Sequence, residues 1–240
     1  MALLASRGVD VTVACGTRGE GGVTGDPPLC RTTELGDRRE AELRLAASLL
    51  GANAVVFLGY VDPPVAPGNL PQAATTDVAE YAGRVLSLLR KGNPDVVITH
   101  GSNGEYGHPQ HVITHQAVLA AWRLWREGAK EETKEGAVLY TFAAACPPAD
   151  AFSFFRNPSD VPTTTVDISA VRQRKTEAFA AHATQVATTL NDAGLHAHAA
   201  GLHAHATEGM FPARESFRRW AGPPLLETMI RTGDPPPTEK

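Results

Sequence analysis

Short apolar runs of strand length alternate with helical patterns along this chain of 240 residues. Residues 54–58 form a continuous apolar run, and 95–99 show a similar pattern, which is typical of strands covered on both faces. Residues 36–50 and 77–90 carry apolar side chains at helical spacing. This alternation predicts parallel strands joined by right-handed crossovers. We therefore expect an α/β fold with a Rossmann-like, open, mostly parallel sheet and helices on both faces.

The rest of the chain extends the same alternation. We expect further strands at residues 9–14, 137–143 and 165–168, and further helices at 112–125 and 169–190. Pro109 suits the first turn of the helix that it precedes. Residues 1–7 resemble the end of a helix that Gly8 stops. The predicted organisation is one α/β domain over residues 1–220 and a loop-rich C-terminal tail over 221–240.

Composition narrows the class of protein. With 42% hydrophobic and 20% charged residues, the chain fits a soluble globular protein without a membrane span. Lys plus Arg number 22 against 26 Asp plus Glu, with no basic run, so nucleic acid is not an expected partner. Small polar or sugar-like substrates remain open, as does a homo-oligomer.

Cysteine usage and the N-terminus both indicate a cytoplasmic protein. Cys15, Cys30 and Cys146 are widely separated and lack CxxC spacing, so neither a disulfide framework nor a cysteine zinc site is expected. The apolar stretch at the N-terminus is too short for a signal peptide.

One segment concentrates groups that can do chemistry. Residues 99–111 read Thr-His-Gly-Ser-Asn-Gly-Glu-Tyr-Gly-His-Pro-Gln-His. His108 and His111 lie three residues apart at the start of a predicted helix, so both can face one metal ion. Most HxxH pairs are solvated or capping histidines, but the strand end, the glycines and the neighbouring tyrosine favour a partial metal site here. His115 lies about 10 Å from His108 along the helix, too far to share one ion, and is predicted to be structural.

This segment resembles a known family. The pattern Gly-x-Tyr-Gly-His-Pro-x-His over residues 104–111 is similar to the second signature of the LmbE-like / PIG-L family of zinc-dependent N-deacetylases, usually Gly-x-Tyr-Gly-His-Pro-Asp-His. Four more family patterns follow the same order. They are Thr-x-Gly-Glu within 17–22, Arg-x-x-Glu-Leu at 39–43, Lys-x-x-Ala…His-x-Thr-Gln over 175–185 and Glu-x-Phe at 215–217.

The resemblance implies a zinc cofactor and a set of site residues. In the family, zinc is held by a His and an Asp of an N-terminal Ala-His-Pro-Asp-Asp-Glu motif and by the histidine that corresponds to His111. His108 would stabilise the oxyanion or protonate the leaving amine, and Tyr106 would polarise the amide carbonyl or gate the site. Arg39 and Asp62 would contact sugar hydroxyl groups. The implied reaction removes an acetyl group from an amino sugar conjugate.

The sequence also departs from the family pattern. It contains no His-Pro-Asp-Asp run, so we expect an N-terminally shortened form that lacks the first family strand and binds zinc weakly or not at all. Gln110 stands where Asp is usual, which removes a charge that could tune His108. One alternative is a non-catalytic sugar-binding or interaction module. Another is a metal-handling protein that uses the four histidines of residues 196–205, although a solvated connecting segment explains them more simply.

Overall fold

The computed structural model describes residues 1–66, 71–128, 136–142, 157, 159–186 and 213–232. The chain divides into two compact units, each built from two stretches of sequence. The first unit combines Met1–Leu70 with Ile168–Ala213, and the second combines Pro71–Asp167 with Arg214–Lys240. The boundary at residue 220 stays a prediction.

Strands and helices alternate along most of the chain. In order they are α1 (Ala2–Ala5), β1 (Thr12–Cys15), a 3₁₀ turn (Thr32–Glu34), α2 (Leu35–Leu49), β2 (Ala54–Phe57), α3 (Val78–Gly92), β3 (Val96–Thr99), α4 (Gly104–Gly107), α5 (Pro109–Gly128), β4 (Val138–Phe142), β5 (Thr164–Asp167), a 3₁₀ turn (Ser169–Val171), α6 (Arg172–Ala180), β6 (Arg214–Ala221) and α7 (Leu225–Thr232).

The first unit contains a two-stranded parallel sheet. β1 pairs with β2 in the register Thr12 to Ala54, and α2 packs against α6. Gly8 and Gly51 follow α1 and α2 with φ of 77° and 78°, a conformation that favours glycine and ends a helix. The predicted stop signals therefore act where the sequence places them.

A buried carboxylate joins two distant parts of this unit. Glu42 of α2 is 5% exposed and accepts hydrogen bonds from the Thr184 backbone N–H at 3.2 Å and the Thr184 hydroxyl at 2.8 Å. Arg38 donates to the same carboxylate at 3.1 Å. The predicted helix over 169–190 is broken after Ala180 and resumes at residues 183–186, where the Thr184 N–H, in the first turn, donates to Glu42.

The second unit contains a four-stranded sheet in the order β3-β4-β6-β5. β3 and β4 are parallel, whereas β6 runs antiparallel to both β4 and β5. The mixed α/β class with open sheets is confirmed. The strands form two separate sheets, and antiparallel pairing is more common than the sequence indicates.

Two elements in the C-terminal part are not predicted from the sequence. β6 occupies a segment with no expected strand, and α7 lies in the tail that is predicted to be loop-rich. β6 carries charged side chains although it is a central strand. Arg218 pairs with a residue remote in sequence, Asp160, at 2.9 Å, and Arg219 contacts Glu227 of α7 at 3.6 Å.

The long helix α5 begins at Pro109, as predicted, and packs against α3. Trp122 and Trp125 of α5 are buried, and the Tyr81 hydroxyl of α3 lies 3.1 Å from the Thr114 hydroxyl. This packing fixes the helix whose first turn carries the histidine pair. Within the described ranges, no helix combines the length and the apolar character needed to cross a membrane.

The Glu42–Thr184 contact predicts a stability effect. The substitution Thr184→Val removes the hydroxyl donor and leaves a buried carboxylate oxygen without its partner, so the free energy of unfolding should fall by about 1–3 kcal/mol. Urea denaturation measures the change. Thr12→Val, at an exposed strand position of the same unit, serves as the control and should change stability by less than about 0.5 kcal/mol. Equal effects of the two substitutions would contradict the assignment.

Candidate functional site

The predicted chemical segment lies between the end of β3 and the start of α5. Three residues here have a left-handed backbone, with φ of 64° at Gly104, 61° at Glu105 and 83° at Gly107. A β-carbon at Gly104 would lie 3.0 Å from the β-carbon of His111, so only glycine fits beside this histidine. The tight turns place His111 on the same side as the loop residues that follow β3.

Three polar side chains meet at this point. Oε2 of Glu105 lies 2.7 Å from Nδ1 of His100 and 2.9 Å from Nδ1 of His111. The two imidazole rings stack with centroids 3.9 Å apart and an interplanar angle of 13°. We call His100, Glu105 and His111 the His–Glu–His cluster. One potential ligand atom from each lies within 4.8 Å of the others.

Glu105 is ionised in this setting. Burial alone raises the pKa of its carboxyl group, but hydrogen bonds from His100 and His111 outweigh this effect and lower the pKa to about 2. Gly101 contributes through its backbone N–H, which donates to Oε1 of Glu105 at 2.7 Å. Both carboxylate oxygens are therefore held by donors, one by the backbone and one by the imidazoles.

His108 lies beside the cluster, with its ring centroid 4.7 Å from that of His111. Burial lowers the pKa of His108 to about 4, and the neighbouring imidazoles add to the shift. The Gln110 backbone N–H donates to Nδ1 of His108 at 3.2 Å. The ring is therefore neutral at neutral pH, and it carries its proton on Nε2 because Nδ1 accepts a hydrogen bond.

The structure describes some of the residues predicted to act in this segment and not others. The structure brings His108 and His111 together, and the backbone of Tyr106 lies in α4, but the side chain of Tyr106 is outside the described part of the structure. The side chain of Gln110 does not contact His108; its Oε1 accepts from the Ala74 backbone N–H at 2.7 Å. The histidine-rich segment of residues 196–205 is likewise outside the described ranges.

His115 is buried and stabilises the loop, as expected of a structural residue. It is 5% exposed, its Nδ1 donates to the carbonyl oxygen of His100 at 2.9 Å, and its ring packs edge-on against Trp220. His115 therefore fixes the backbone of His100.

A buried aspartate that the sequence analysis missed holds the next residue of the loop. Asp160 is 1% exposed and accepts from the Ser102 backbone N–H at 2.6 Å and from Asn157 at 3.0 Å. Arg218 of β6 donates to its other oxygen at 2.9 Å and lies over the Trp220 ring. No local pattern marks Asp160, since the partners that tie it to the loop and to β6, Ser102 and Arg218, are each 58 residues away in sequence.

The two predicted sugar-binding residues lie together in the first unit. Burial lowers the pKa of Arg39, and the negative charge of Asp62 opposes the shift. Burial raises the pKa of Asp62, which also lies 3.5 Å from the Thr17 hydroxyl. The guanidinium of Arg39 lies where β-carbons at Gly19 and Gly22 would clash with it, so these glycines make room for it. Among the described residues, Nε of Arg39 has no hydrogen-bond partner.

The donor chemistry of the His–Glu–His cluster suits zinc. Imidazole nitrogen and carboxylate oxygen are regular zinc ligands, and catalytic zinc sites commonly use three protein ligands of these types. The side chains of the cluster are 16–29% exposed, so solvent reaches the group. Fold and site together define an α/β protein with a candidate metal centre at the end of a parallel strand.

Comparison with known proteins agrees with this class. The family described as PIG-L, GlcNAc-PI de-N-acetylase, matches residues 1–122. A relative from Thermobifida fusca, 1D-myo-inositol 2-acetamido-2-deoxy-alpha-D-glucopyranoside deacetylase, is 31% identical over 220 residues, which cover 78% of this chain and 77% of the relative. This chain therefore belongs to the PIG-L family.

Two further similarities concern one relative and one solved structure. Mycothiol S-conjugate amidase from Streptomyces coelicolor is 33% identical over 144 residues, covering 56% of this chain and 47% of the relative. The solved structure of N,N'-diacetylchitobiose deacetylase from Pyrococcus horikoshii has a TM-score of 0.60 at 20% identity and covers 91% of this chain and 75% of its own. The structural likeness shows the fold.

The buried aspartate gives a prediction for the loop. Asp160→Asn removes the charge that pairs with Arg218 and weakens the acceptor for Ser102, so the free energy of unfolding should fall by about 1–3 kcal/mol. Thermal unfolding monitored by circular dichroism measures it. The matched control is Asp37→Asn, whose side chain is 83% exposed and pairs with Arg18 at the surface; it should cost less than about 1 kcal/mol. An unchanged transition for Asp160→Asn would contradict the role of Asp160.

Proposed function

We propose that this chain is a metal-dependent N-deacetylase that removes an acetyl group from a small amino sugar conjugate in the cytoplasm. The observation that carries the proposal is the pairing of His108 with His111 beside an ionised Glu105, in a member of a family whose relatives are deacetylases. Association of identical chains stays a prediction.

Zinc is the proposed metal, with His111 as a ligand. A bound zinc ion would supply a nucleophilic water at neutral pH and would polarise the amide carbonyl. The chain's own part is to hold the imidazole of His111 in place, which the Glu105 hydrogen bond at 2.9 Å does. A carboxylate on the ring nitrogen fixes the orientation of an imidazole.

The state of His108 favours one of the two roles that the family resemblance implies. A neutral ring with its proton on Nε2 can donate a hydrogen bond to the oxyanion that develops when the amide is attacked. We therefore assign His108 to stabilisation of the oxyanion and Tyr106 to polarisation of the amide carbonyl.

The proposed substrate is an N-acetylglucosamine conjugate. The Thermobifida fusca relative is named for a 2-acetamido-2-deoxy-glucopyranoside of inositol, and the Streptomyces coelicolor relative for an amide of a mycothiol conjugate. Arg39 and Asp62 are assigned to sugar hydroxyl groups, since a guanidinium and a carboxylate together offer donors and acceptors.

A second candidate function is a sugar-binding module without turnover, in which Arg39 and Asp62 would contact the sugar. Calorimetry with the N-acetylglucosamine–inositol conjugate distinguishes the two candidates. Binding followed by acetate release supports the deacetylase, whereas binding without release by the zinc-loaded chain supports the module.

The role of His108 predicts a kinetic effect. His108→Gln should lower kcat for acetate release from the inositol conjugate about 10²–10³-fold, as expected for loss of an oxyanion donor, with a much smaller change in KM. Gln116→Ala, at an exposed position of the same helix, is the control and should keep the parent kcat. A kcat for His108→Gln close to that of the parent would refute the role.

Metal removal gives an independent prediction. Dialysis against a chelator should abolish acetate release, because the attacking water then keeps its ordinary pKa, and one equivalent of Zn²⁺ should restore it. Metal content by mass spectrometry and acetate by a coupled assay follow both steps. Turnover that survives complete metal removal would show that the reaction is not metal-dependent.

A further inference from the structure

We propose that two loops of the first unit, residues 21–30 and 61–65, together bind an apolar aglycone, the group that is attached to the amino sugar of the substrate. We call these two loops the apolar rim. The proposal rests on the proposed function, since the rim borders Arg39 and Asp62, the residues assigned to the sugar. It adds the class of conjugate that the chain takes, which is an amino sugar with an alkyl or aryl substituent.

The two loops carry nearly the same short sequence. Residues 26–29 read Asp-Pro-Pro-Leu, and residues 62–65 read Asp-Pro-Pro-Val. Each proline fixes its own φ at about −65° and restricts the residue before it, so both loops have few accessible conformations. A surface that is ordered before binding loses less conformational entropy when a ligand arrives. The paired Asp-Pro-Pro runs therefore favour a preformed binding surface.

The two loops touch each other at Gly21. A β-carbon there would lie 2.0 Å from the carbonyl oxygen of Pro63 and 2.6 Å from that of Asp62, so only glycine allows this approach. The loops also touch the residues assigned to the sugar, because Nη2 of Arg39 donates to the carbonyl oxygen of Val23 at 3.0 Å. The apolar rim and the Arg39–Asp62 pair therefore form one continuous surface.

The rim exposes a large share of the apolar side chains that face solvent. Among the residues that the structure describes, nine large apolar side chains are exposed, and four of these belong to the rim. They are Val23, Leu29, Val61 and Val65. The rim has no Lys, Arg or Glu, and its acidic residues are Asp26 and Asp62. Single exposed apolar residues are normal, but several on two adjoining loops indicate a binding surface for an apolar, uncharged group.

The relative burial of these groups indicates which part of a substrate meets the rim. Arg39 and Asp62 are half-buried, and Nε of Arg39 is buried without a hydrogen-bond partner among the described residues. Val23 and Val61, in contrast, are exposed beside them. A sugar whose hydroxyl groups reach the inner pair places its own substituent towards the outer side chains. An apolar substituent is favoured there, because the contact removes apolar surface of both partners from water.

Two glycosides that differ only in the aglycone test the proposal. The methyl and benzyl α-glycosides of N-acetylglucosamine share the α-glucopyranoside named for the Thermobifida fusca relative. Each is titrated into the full chain, and calorimetry measures its Kd. The benzyl glycoside should bind about 10–100-fold more tightly, as expected for burying one aromatic ring at an apolar surface. Equal Kd values for the two glycosides, or no binding of either, would overturn the proposal.

Substitutions in the rim test where the aglycone binds. The double variant with Val23→Ser and Val61→Ser should lower the ratio of the two Kd values by at least about 5-fold and leave the Kd of the methyl glycoside unchanged. Leu45→Ser, at an exposed position of α2 in the same unit, is the matched control and should keep the parent ratio. All three positions are exposed, so the variants should fold as the parent does. A parent ratio in the double variant would overturn the assignment to the rim.

A second copy of the chain is the competing occupant of the rim. If the rim were an interface between copies, the double variant would have a lower mass in solution than the parent. Analytical ultracentrifugation of both chains at equal concentration measures this mass. We expect the same mass for both; a lower mass for the double variant would show that copies of the chain cover the rim and would overturn the proposal.

The failures of the two proposals look different. Tighter binding of the benzyl glycoside without acetate release by the zinc-loaded chain leaves the rim intact and refutes the deacetylase. Acetate release with equal kcat/KM for the methyl and benzyl glycosides refutes the rim and leaves the deacetylase intact.

Discussion

The site depends on one carboxylate shared by two imidazoles. Glu105 is largely withdrawn from water, and an ionised group in that position is costly unless donors surround it. His100, His111 and the Gly101 N–H supply those donors. This requirement explains the left-handed backbone of Glu105, because that conformation, next to Gly104, turns the carboxylate towards the histidines.

The second unit is arranged so that the sheet supports this loop. β6 lies between β4 and β5, and its Arg218 reaches the buried Asp160, which in turn holds the Ser102 backbone. β6 therefore forms part of the sheet and also stabilises the segment that carries the histidines. Glu42 acts in a similar way in the first unit, where it joins α2 to the residues around Thr184.

Local patterns in the sequence predict the elements and site residues whose positions depend on residues nearby in the chain. The apolar runs at β2 and β3, the helix starting at Pro109 and the His108–His111 pair are of this kind, and the structure has them within a residue or so. β6 and Asp160 depend on charge pairs between distant residues, so no local periodicity marks them. Glu105 was missed because its left-handed conformation, not its neighbours in sequence, turns it towards His100.

Anomalous scattering at the zinc edge, from crystals of the full chain grown with one equivalent of Zn²⁺, tests the central claim most directly. The account predicts one strong peak beside His111, next to the His108 ring. A peak confined to residues 196–205, or no peak beside His111, would contradict it.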